Sequence, residues 1–373
     1  MSNLLIHVVE SGSNHLWLIR LLKRISNSET DQVVITIDKK GELKDTLNDI
    51  SIPVVSGIGS FRILNVFLAA FSIRKASKNC PESFVFAQGH VPGISAYLAF
   101  KISKIDYGIV HHQSPIIFFD ELAKLSPLRG KLQRNLYRKY ILNAKVIQAL
   151  SLEVTNSLIH LGYPNSQINL IGHGVDIRQF QEKGINQTSI NGVAPTILMA
   201  GRLSWEKNYR LSLKVIEFLV KTQPNLKVLI AGTGPDEKIL KEAIRESKLE
   251  DHVKLIGWVP NITELMHQSD LFLHLSITES FGQVILESCI SELPVFCFPV
   301  GISLDLYKSG NKYINLIESK DSFEIATQIS EHLSKKQSHS KMIQRDQVSY
   351  EDFSTELVHE KMCNMMLKYV HRL

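Results

Sequence analysis

The chain has 373 residues and a mass of 42.2 kDa, more than the ~100 to 200 residues of one typical domain, so its length favours two domains. Hydrophobic residues make up 44% and charged residues 21% of the sequence, which excludes a disordered, collagen-like or disulfide-scaffold protein. Residues 1–190 hold 21 Lys and Arg against 14 Asp and Glu, a net charge of +7, and residues 191–373 hold 21 against 23, a net charge of −2.

The sequence contains no segment typical of membrane insertion or secretion. Its first residues lack the basic start, apolar run and cleavage site of a signal peptide. Nowhere do ~18 apolar residues follow one another, the length that a spanning helix needs. The four cysteines form no Cys-x-x-Cys pair, which favours reduced thiols over a zinc site or disulfides. We therefore expect a cytoplasmic protein whose only membrane contact is peripheral, on the inner face of the cytoplasmic membrane.

Short β-rich runs alternate with helical stretches along the first half, a pattern that predicts βαβ units and a parallel sheet. Predicted strands cover residues 4–9, 33–37, 84–87, 108–111, 145–150 and 168–171, and predicted helices include 15–25, 61–78 and 93–103.

A polar stretch without apolar periodicity interrupts this pattern, and we interpret residues 181–194 as a linker. The alternation then resumes with strands at 196–200, 227–231, 253–256, 271–275, 294–298 and 313–316. The predicted organisation is an α/β domain over residues 1–180, a second over 195–350, and a terminal helix over 351–373.

Two constellations in the second half follow predicted strands, where open α/β sheets bind ligands. Arg202 and Lys207 lie in the loop after the strand at 196–200, and such a pair of cations suits a diphosphate. Glu279 precedes, and Glu287 lies within, a helix predicted to begin near Phe281 or Gly282. Its N-terminal amides suit an anion or a sugar, and the two carboxylates can accept hydrogen bonds from vicinal hydroxyls.

Four stretches together resemble glycosyltransferase family 4, the retaining glycosyltransferases of GT-B fold. They are IGHGVDIRQF (171–180), GRLSWEKN (201–208), the GTGP and IGWVPN segments (232–261) and ESFGQVILE (279–287). The resemblance implies two Rossmann-like domains facing each other across a cleft, with the C-terminal helix crossing back to the N-terminal domain.

The resemblance also implies roles for individual residues. Arg202 and Lys207 would bind the donor diphosphate, Glu279 would hold the transferred sugar as a catalytic residue, and Glu287 would bind the ribose. Backbone groups of Trp258 and Val259 would lie along the edge of the base. Backbone amides of Phe281, Gly282, Gln283 and Val284 would help to bind the sugar. The family needs no metal, and the sequence contains no Asp-x-Asp pair that would hold one between phosphates.

Some residues depart from the family pattern. His274, Leu275 and Ser276 replace the usual Pro-Ser, Glu292 stands at a usual glycine, and a single Gly301 stands where two glycines are common. These changes affect the wall of the donor site, so we expect them to bear on which sugar is used.

The resemblance assigns the first domain to the acceptor side. Gly12 is the single glycine in the loop after the first strand, where the family has a glycine loop near the donor phosphates. His111 resembles the family's strand-end catalytic histidine, with His112 as its competitor, and His90 is a further acceptor-side candidate.

Residues 122–146 contain seven Lys and Arg and no acidic residue, with leucines at helical spacing. This pattern predicts a basic amphipathic helix able to lie on anionic lipid, and a solvated helix packed on the sheet explains it equally well.

These observations favour a retaining hexosyltransferase that uses a nucleoside-diphosphate sugar, UDP-linked, to extend a bacterial surface glycan or glycolipid such as lipopolysaccharide, O-antigen or capsule. No cofactor and no nucleic-acid partner are expected, since the nucleotide sugar is a substrate. The alternatives are a nucleotide-sugar epimerase of related fold, which would need acid and base residues around the sugar, and a non-catalytic basic module that binds lipid or nucleic acid.

Overall fold

The computed structural model describes residues 3–10, 16–26, 30–38, 43, 47, 50–57, 62–80, 82–112, 124, 126–182, 194–338 and 349–370. The chain folds into two compact units. The first comprises Met1–Gly174 together with Thr355–Leu373, and the second comprises Val175–Ser354.

The first unit contains a seven-stranded sheet in which every paired strand is parallel to its neighbour. Its order is β3-β2-β1-β4-β5-β6-β7. The strands are β1 (Asn3–Val9), β2 (Thr30–Thr36), β3 (Val54–Ser56), β4 (Ser83–Gln88), β5 (Tyr107–His112), β6 (Val146–Ala149) and β7 (Ile168–Leu170).

Helices cover both faces of this sheet because the buried strands are apolar on both sides. In β1, Leu4 and Ile6 pack into a first core with residues of the helices at 62–77, 90–103 and 127–143. Leu5 packs into a second core with residues of the helices at 16–25 and 355–370. The helices of the unit are α1 (Leu16–Ile25), α2 (Arg62–Ser77), α3 (His90–Ser103), α4 (Pro127–Asn143), α5 (Leu152–His160) and α13 (Thr355–Val370).

The C-terminal helix α13 belongs to the first unit although the second unit precedes it in the chain. Its residues Met362, Met365 and Met366 are buried in the core that contains Leu5 and Phe84. The predicted return of this helix to the N-terminal domain is therefore confirmed.

The second unit contains a six-stranded parallel sheet in the order β10-β9-β8-β11-β12-β13. Its strands are β8 (Thr196–Ala200), β9 (Lys227–Ala231), β10 (Val253–Gly257), β11 (Leu271–His274), β12 (Val295–Cys297) and β13 (Ile314–Leu316). Its helices are α6 (Ile177–Gln181), α7 (Tyr209–Thr222), α8 (Glu237–Glu246), α9 (Thr263–Gln268), α10 (Gln283–Ile290), α11 (Ser303–Lys308) and α12 (Ser322–Ser338). Two Rossmann-like α/β domains are thus present, as the sequence predicts.

The division between the units differs from the predicted one at both ends. Residues 175–180, assigned from the sequence to the first domain, lie in the second unit, and residues 351–354, assigned to the terminal helix, lie there as well. The physical reason is local packing: α6 contacts α10, and Nε2 of His267 lies 3.2 Å from the carbonyl oxygen of Phe180. Most of the predicted linker, residues 183–193, lies outside the described residues.

Each sheet has one topological switch point, where the chain crosses from one side of its first strand to the other. This switch lies between β1 and β4 in the first sheet and between β8 and β11 in the second. In open α/β sheets, the carboxyl ends of the strands at such a switch are the usual ligand site. Within the described ranges, no helix combines the length and the apolar character needed to cross a bilayer.

Candidate functional site

The predicted diphosphate and sugar residues of the second unit follow β8 and β11, at the switch between these strands. The chain leaves β8 at Gly201, forms a 3-10 turn at Trp205–Lys207 and enters α7 through Asn208, which has a left-handed backbone with φ of 55°. The loop after β11 is tied to this turn, since the amide of Ile277 donates to the carbonyl oxygen of Glu206 at 2.8 Å. The ends of two neighbouring strands are therefore held together.

Three side chains meet at this point. The Nζ atom of Lys207 donates to Oε1 of Glu279 at 2.5 Å, and Nε2 of His274 lies 2.8 Å from the same oxygen. The side chain of Glu279 is 11% exposed, that of Lys207 16% and that of His274 4%. We call Lys207, His274 and Glu279 the carboxylate cluster.

The cluster keeps Glu279 ionised. Burial by itself would raise the pKa of this carboxyl, but the hydrogen bond and charge of His274 and the charge of Lys207 outweigh burial and lower the pKa to about 2. An anionic acceptor that is only partly exposed can then bind a sugar hydroxyl at neutral pH, and the three donors of the Lys207 ammonium allow it to hold a phosphate oxygen as well.

Glycines bring the backbone close to Glu279. Gly282 is the N-cap of α10 with φ of 79°, and a Cβ there would lie 3.6 Å from Cγ of Glu279. Gly301 has φ of 54°, and its Cβ would lie 2.4 Å from the carbonyl oxygen of Phe281 and 2.9 Å from Cβ of Glu279. No other residue fits at Gly301 without displacing this backbone, which explains the single glycine that remains there.

The glycines after β9 support the first loop rather than the ligand. A Cβ on Gly232 would lie 1.9 Å from the carbonyl oxygen of Gly201, and one on Gly234 would lie 2.3 Å from that of Leu203. The amide of Leu203 donates to the carbonyl oxygen of Thr233 at 3.0 Å. This turn therefore packs behind the loop that carries Lys207, as a wall of the site.

Glu287 lies one turn into α10 and is buried. Nε2 of Gln283 donates to its Oε1 at 2.7 Å. Burial raises the pKa of Glu287, and the bond from Gln283 opposes this only in part. A buried carboxyl with one amide partner retains unused acceptor capacity, which a hydroxyl-bearing ligand can fill.

The remaining donor-side residues have different environments. Arg202 and Trp258 are exposed and Val259 is half-buried. Phe281 is buried, with its ring centroid 6.2 Å from that of Phe353, so it can offer only backbone to a ligand. Val284 is half-buried in the first turn of α10. The structure thus brings Lys207, Gly282 and Gly301 to Glu279 and leaves Arg202 outside the carboxylate cluster.

In the first unit, His90 begins α3 directly after β4, beside the switch between β1 and β4. Its Nδ1 lies 2.9 Å from the hydroxyl of Tyr140, a contact that orients the ring. His111 and His112 are the last residues of β5. Their side chains, and Gly12, lie outside the described residues, so the choice between the two histidines stays a prediction.

Sequence reasoning placed His274 in the wall of the donor site and missed its contact with Glu279. The available signal was its position, since His274 is the last residue of β11 and follows an apolar run. A buried histidine at the carboxyl end of a central parallel strand points toward the ligand edge of the sheet. Its ring also stacks on that of Phe272, with centroids 5.8 Å apart.

Two family descriptions match the chain in succession. Residues 17–179 match Glycosyltransferase Family 4, and residues 180–348 match Glycosyl transferases group 1. The two matches meet close to the boundary between the structural units.

Individual proteins are similar as well. The chain is 28% identical over 228 residues to N-acetyl-alpha-D-glucosaminyl L-malate synthase of Bacillus anthracis, covering 60% of each chain. It is 25% identical over 213 residues to alpha-monoglucosyldiacylglycerol synthase of Streptococcus pneumoniae, covering 54% of this chain and 46% of the relative. The matched region thus spans 60% or less of the length of these relatives.

Among solved structures, Anabaena Alr3699/HepE in complex with UDP and glucose superposes with a TM-score of 0.71. The superposition covers 97% of this chain and 99% of that one at 19% identity. At this identity the likeness shows a shared fold.

Proposed function

This chain belongs to the family 4, or group 1, glycosyltransferases, and from that membership we propose that it transfers a hexose or hexosamine from a UDP-sugar to a hydroxyl of a growing surface glycan or glycolipid. Support comes from the relatives. One is named as a synthase of N-acetyl-alpha-D-glucosaminyl L-malate and another as a synthase of alpha-monoglucosyldiacylglycerol, and a protein of the same fold was solved in complex with UDP and glucose.

The observation that carries this proposal is the carboxylate cluster. Lys207 and His274 hold Glu279 ionised and fixed in direction, so its free lone pairs can accept from hydroxyls of the transferred sugar. Lys207, with Arg202 on the same loop, would neutralise the diphosphate. Positive charge and the N-terminal amides of α10 would stabilise the departing nucleoside diphosphate, the task that a divalent ion performs in metal-dependent transferases.

Glu287 would take the ribose. It follows Glu279 on the same strand-loop-helix unit, and a buried carboxyl that accepts two ribose hydroxyls regains the hydrogen bonds that burial removed. Backbone near Trp258 and Val259, after β10, would edge the base.

We propose that the reaction retains the anomeric configuration. The acceptor oxygen would attack from the face that the leaving group vacates, the bond from the anomeric carbon to the diphosphate oxygen would break, and that oxygen would take the acceptor proton. His111, or His112, would contact a donor hydroxyl, Gly12 would approach the phosphates, and His90 would lie on the acceptor side. No protein nucleophile is required.

We also propose peripheral binding to the cytoplasmic face of the membrane through residues 122–146. The helix there, α4, exposes 86% of Leu128 and 69% of Leu132, while Tyr140 and Ile141 are buried in the first core. Its N-terminal part therefore carries the apolar surface that could meet lipid, and its C-terminal part anchors it to the sheet.

Transfer is tested with radiolabelled UDP-sugars and membrane glycolipid extracts, comparing the parent, Glu279→Gln and Glu264→Gln. Glu264 is exposed on α9, which makes it a matched control for removal of one carboxylate from the same unit. We expect Glu279→Gln to lose about 100-fold or more in kcat, the scale of removing one preorganised electrostatic group, and Glu264→Gln to retain parental activity. Parental activity of Glu279→Gln would refute the site, and conversion of the donor sugar without acceptor would indicate an epimerase instead.

A further inference from the structure

One side of α2 exposes an uninterrupted row of large apolar side chains. Ile63 is 78% exposed, Leu64 54%, Phe67 56% and Phe71 62%. Ile63 and Leu64 lie four and three residues before Phe67, and Phe71 lies four after it, so all four share one face of the helix. On the other side, Ala69, Ala70 and Ile73 are buried in the first core. Four such residues in three turns form a patch, unlike the scattered single exposures of ordinary surfaces.

The C-terminal end of this row opens into a basic pocket of about 860 Å³ between the ends of α2 and α3. Phe71 and Ile102 contribute its apolar lining, and Ile102 is itself 58% exposed. Its charged lining consists of Arg74, Lys75, Lys78 and Lys104 with the single acid Asp106. Asp106 has its own partner, since Nζ of Lys145 lies 3.7 Å from Oδ2.

Lys and Arg at the C-termini of helices also have a structural role, since they offset the negative end of the helix dipole. Each helix end carries roughly half a negative charge, so two ends offset only about one of the four cations, and the pocket stays positive after Asp106 is subtracted. Lys104 adds a second observation. It has a left-handed backbone with φ of 59°, where glycine costs less, so helix termination alone does not account for a lysine there.

We propose that this surface, formed by the apolar row of α2 and the basic pocket, docks on an anionic phospholipid bilayer. Phe67 and Phe71 would enter the interface between headgroups and acyl chains, and the pocket would bind lipid phosphates. Large apolar side chains beside a cluster of cations are complementary to both parts of such a bilayer, whereas a soluble polyanion would leave the apolar row uncovered.

The position of α2 agrees with this assignment. Helices α2, α3 and α4 pack on the same face of the sheet, and α3 contacts both of the others. The proposal rests on the membrane association proposed above and adds α2 and the pocket to the surface that α4 provides, and vesicle binding can be measured without donor or turnover. Its failure is therefore distinguishable from failure of the transferase assignment.

The test is sedimentation of the full chain with vesicles of phosphatidylglycerol and phosphatidylcholine, compared with phosphatidylcholine alone. We expect binding to the anionic vesicles only, and weakening by salt. Lys75→Glu with Lys78→Glu should weaken binding about 25-fold or more, since each cation near the surface contributes about fivefold. Phe67→Ser with Phe71→Ser should weaken it about tenfold for each ring that enters the interface.

Matched controls are available in the second unit. Lys214→Glu with Lys238→Glu makes the same change in net charge on exposed residues of α7 and α8, and Ile239→Ser removes a 45% exposed apolar side chain. Lys104→Gly separates binding from stability, because it should weaken vesicle binding about fivefold while the protein unfolds at an equal or higher urea concentration.

The outcomes are distinct. Loss of binding in the α2 and pocket variants with parental binding in the controls supports the proposal. Parental binding of both double variants overturns it, and loss of binding in Leu128→Ser with Leu132→Ser would then show that α4 by itself forms the membrane surface. Failure of the parent to bind anionic vesicles overturns it as well. Capture of a protein by the parent, but not by Phe67→Ser with Phe71→Ser, would then indicate that this surface binds a protein and not a bilayer.

Discussion

Replacing His274 with leucine tests the carboxylate cluster directly. Leucine keeps an apolar side chain in a site where the histidine is only 4% exposed, but it removes the donor to Glu279. A hydrogen bond to a charged group contributes about 1.5 to 3 kcal/mol. Because Lys207 still contacts Glu279 at 2.5 Å, the cost should stay in that range and below the ~3 to 5 kcal/mol of an unpaired buried charge.

The assay is urea unfolding followed by tryptophan fluorescence in a Trp17→Phe background. The sequence has three tryptophans, and this change leaves Trp205 and Trp258, which both lie in the second unit. A double-mutant cycle with Glu279→Gln isolates the coupling between the two side chains. We expect a coupling free energy of about 1.5 to 3 kcal/mol.

The same variant should change the response to acid. The folded pKa of Glu279 is about 2, below its ordinary 4.5, so its ionisation stabilises the fold above about pH 4.5, and this contribution is lost as the pH falls towards 2. His274→Leu raises the folded pKa, so its acid unfolding should begin at higher pH. A coupling free energy near zero together with an unchanged acid transition would refute the role assigned to His274.

Three further predictions concern the same fold. Glu287→Gln should leave the second unit equally stable or more stable at pH 7. The folded pKa of Glu287 is raised, so its ionisation opposes folding once the pH rises above its ordinary pKa, and a loss of stability would contradict this. The same variant should reduce the thermal shift produced by UDP, because it removes the carboxylate proposed to bind the ribose. Gly301→Ala should lower the free energy of unfolding in urea by about 3 kcal/mol or more, since its Cβ would lie 2.4 Å from a carbonyl oxygen. The control Gly310→Ala should cost about 1 kcal/mol, because Gly310 also has a positive φ but no atom lies within 4 Å of its Cβ. Equal costs would refute the steric argument. Lys104→Gly should raise the free energy of unfolding by about 1 kcal/mol, because it relieves a left-handed backbone in a side-chain-bearing residue, and a decrease in the urea midpoint would disprove it.

The sequence by itself determined the two α/β domains and most of their elements. Strand and helix periodicities are local properties, so short apolar runs such as residues 196–200 and 227–231 match observed strands, and the glycine before Gln283 marks the start of α10. The motifs around Lys207 and Glu279 were also visible, because their residue types and their order after strands can be read without coordinates.

Only the tertiary structure decided which side chains meet. Lys207 and Glu279 are 72 residues apart and come together because β8 and β11 are neighbours in the sheet, a pairing that no local pattern encodes. In the sequence, His274 stood out only as a departure from the family pattern, and the fold shows that it contacts Glu279. Burial likewise depends on what packs against each face, so the exposure of Phe67 and Phe71 followed only from the assembled fold.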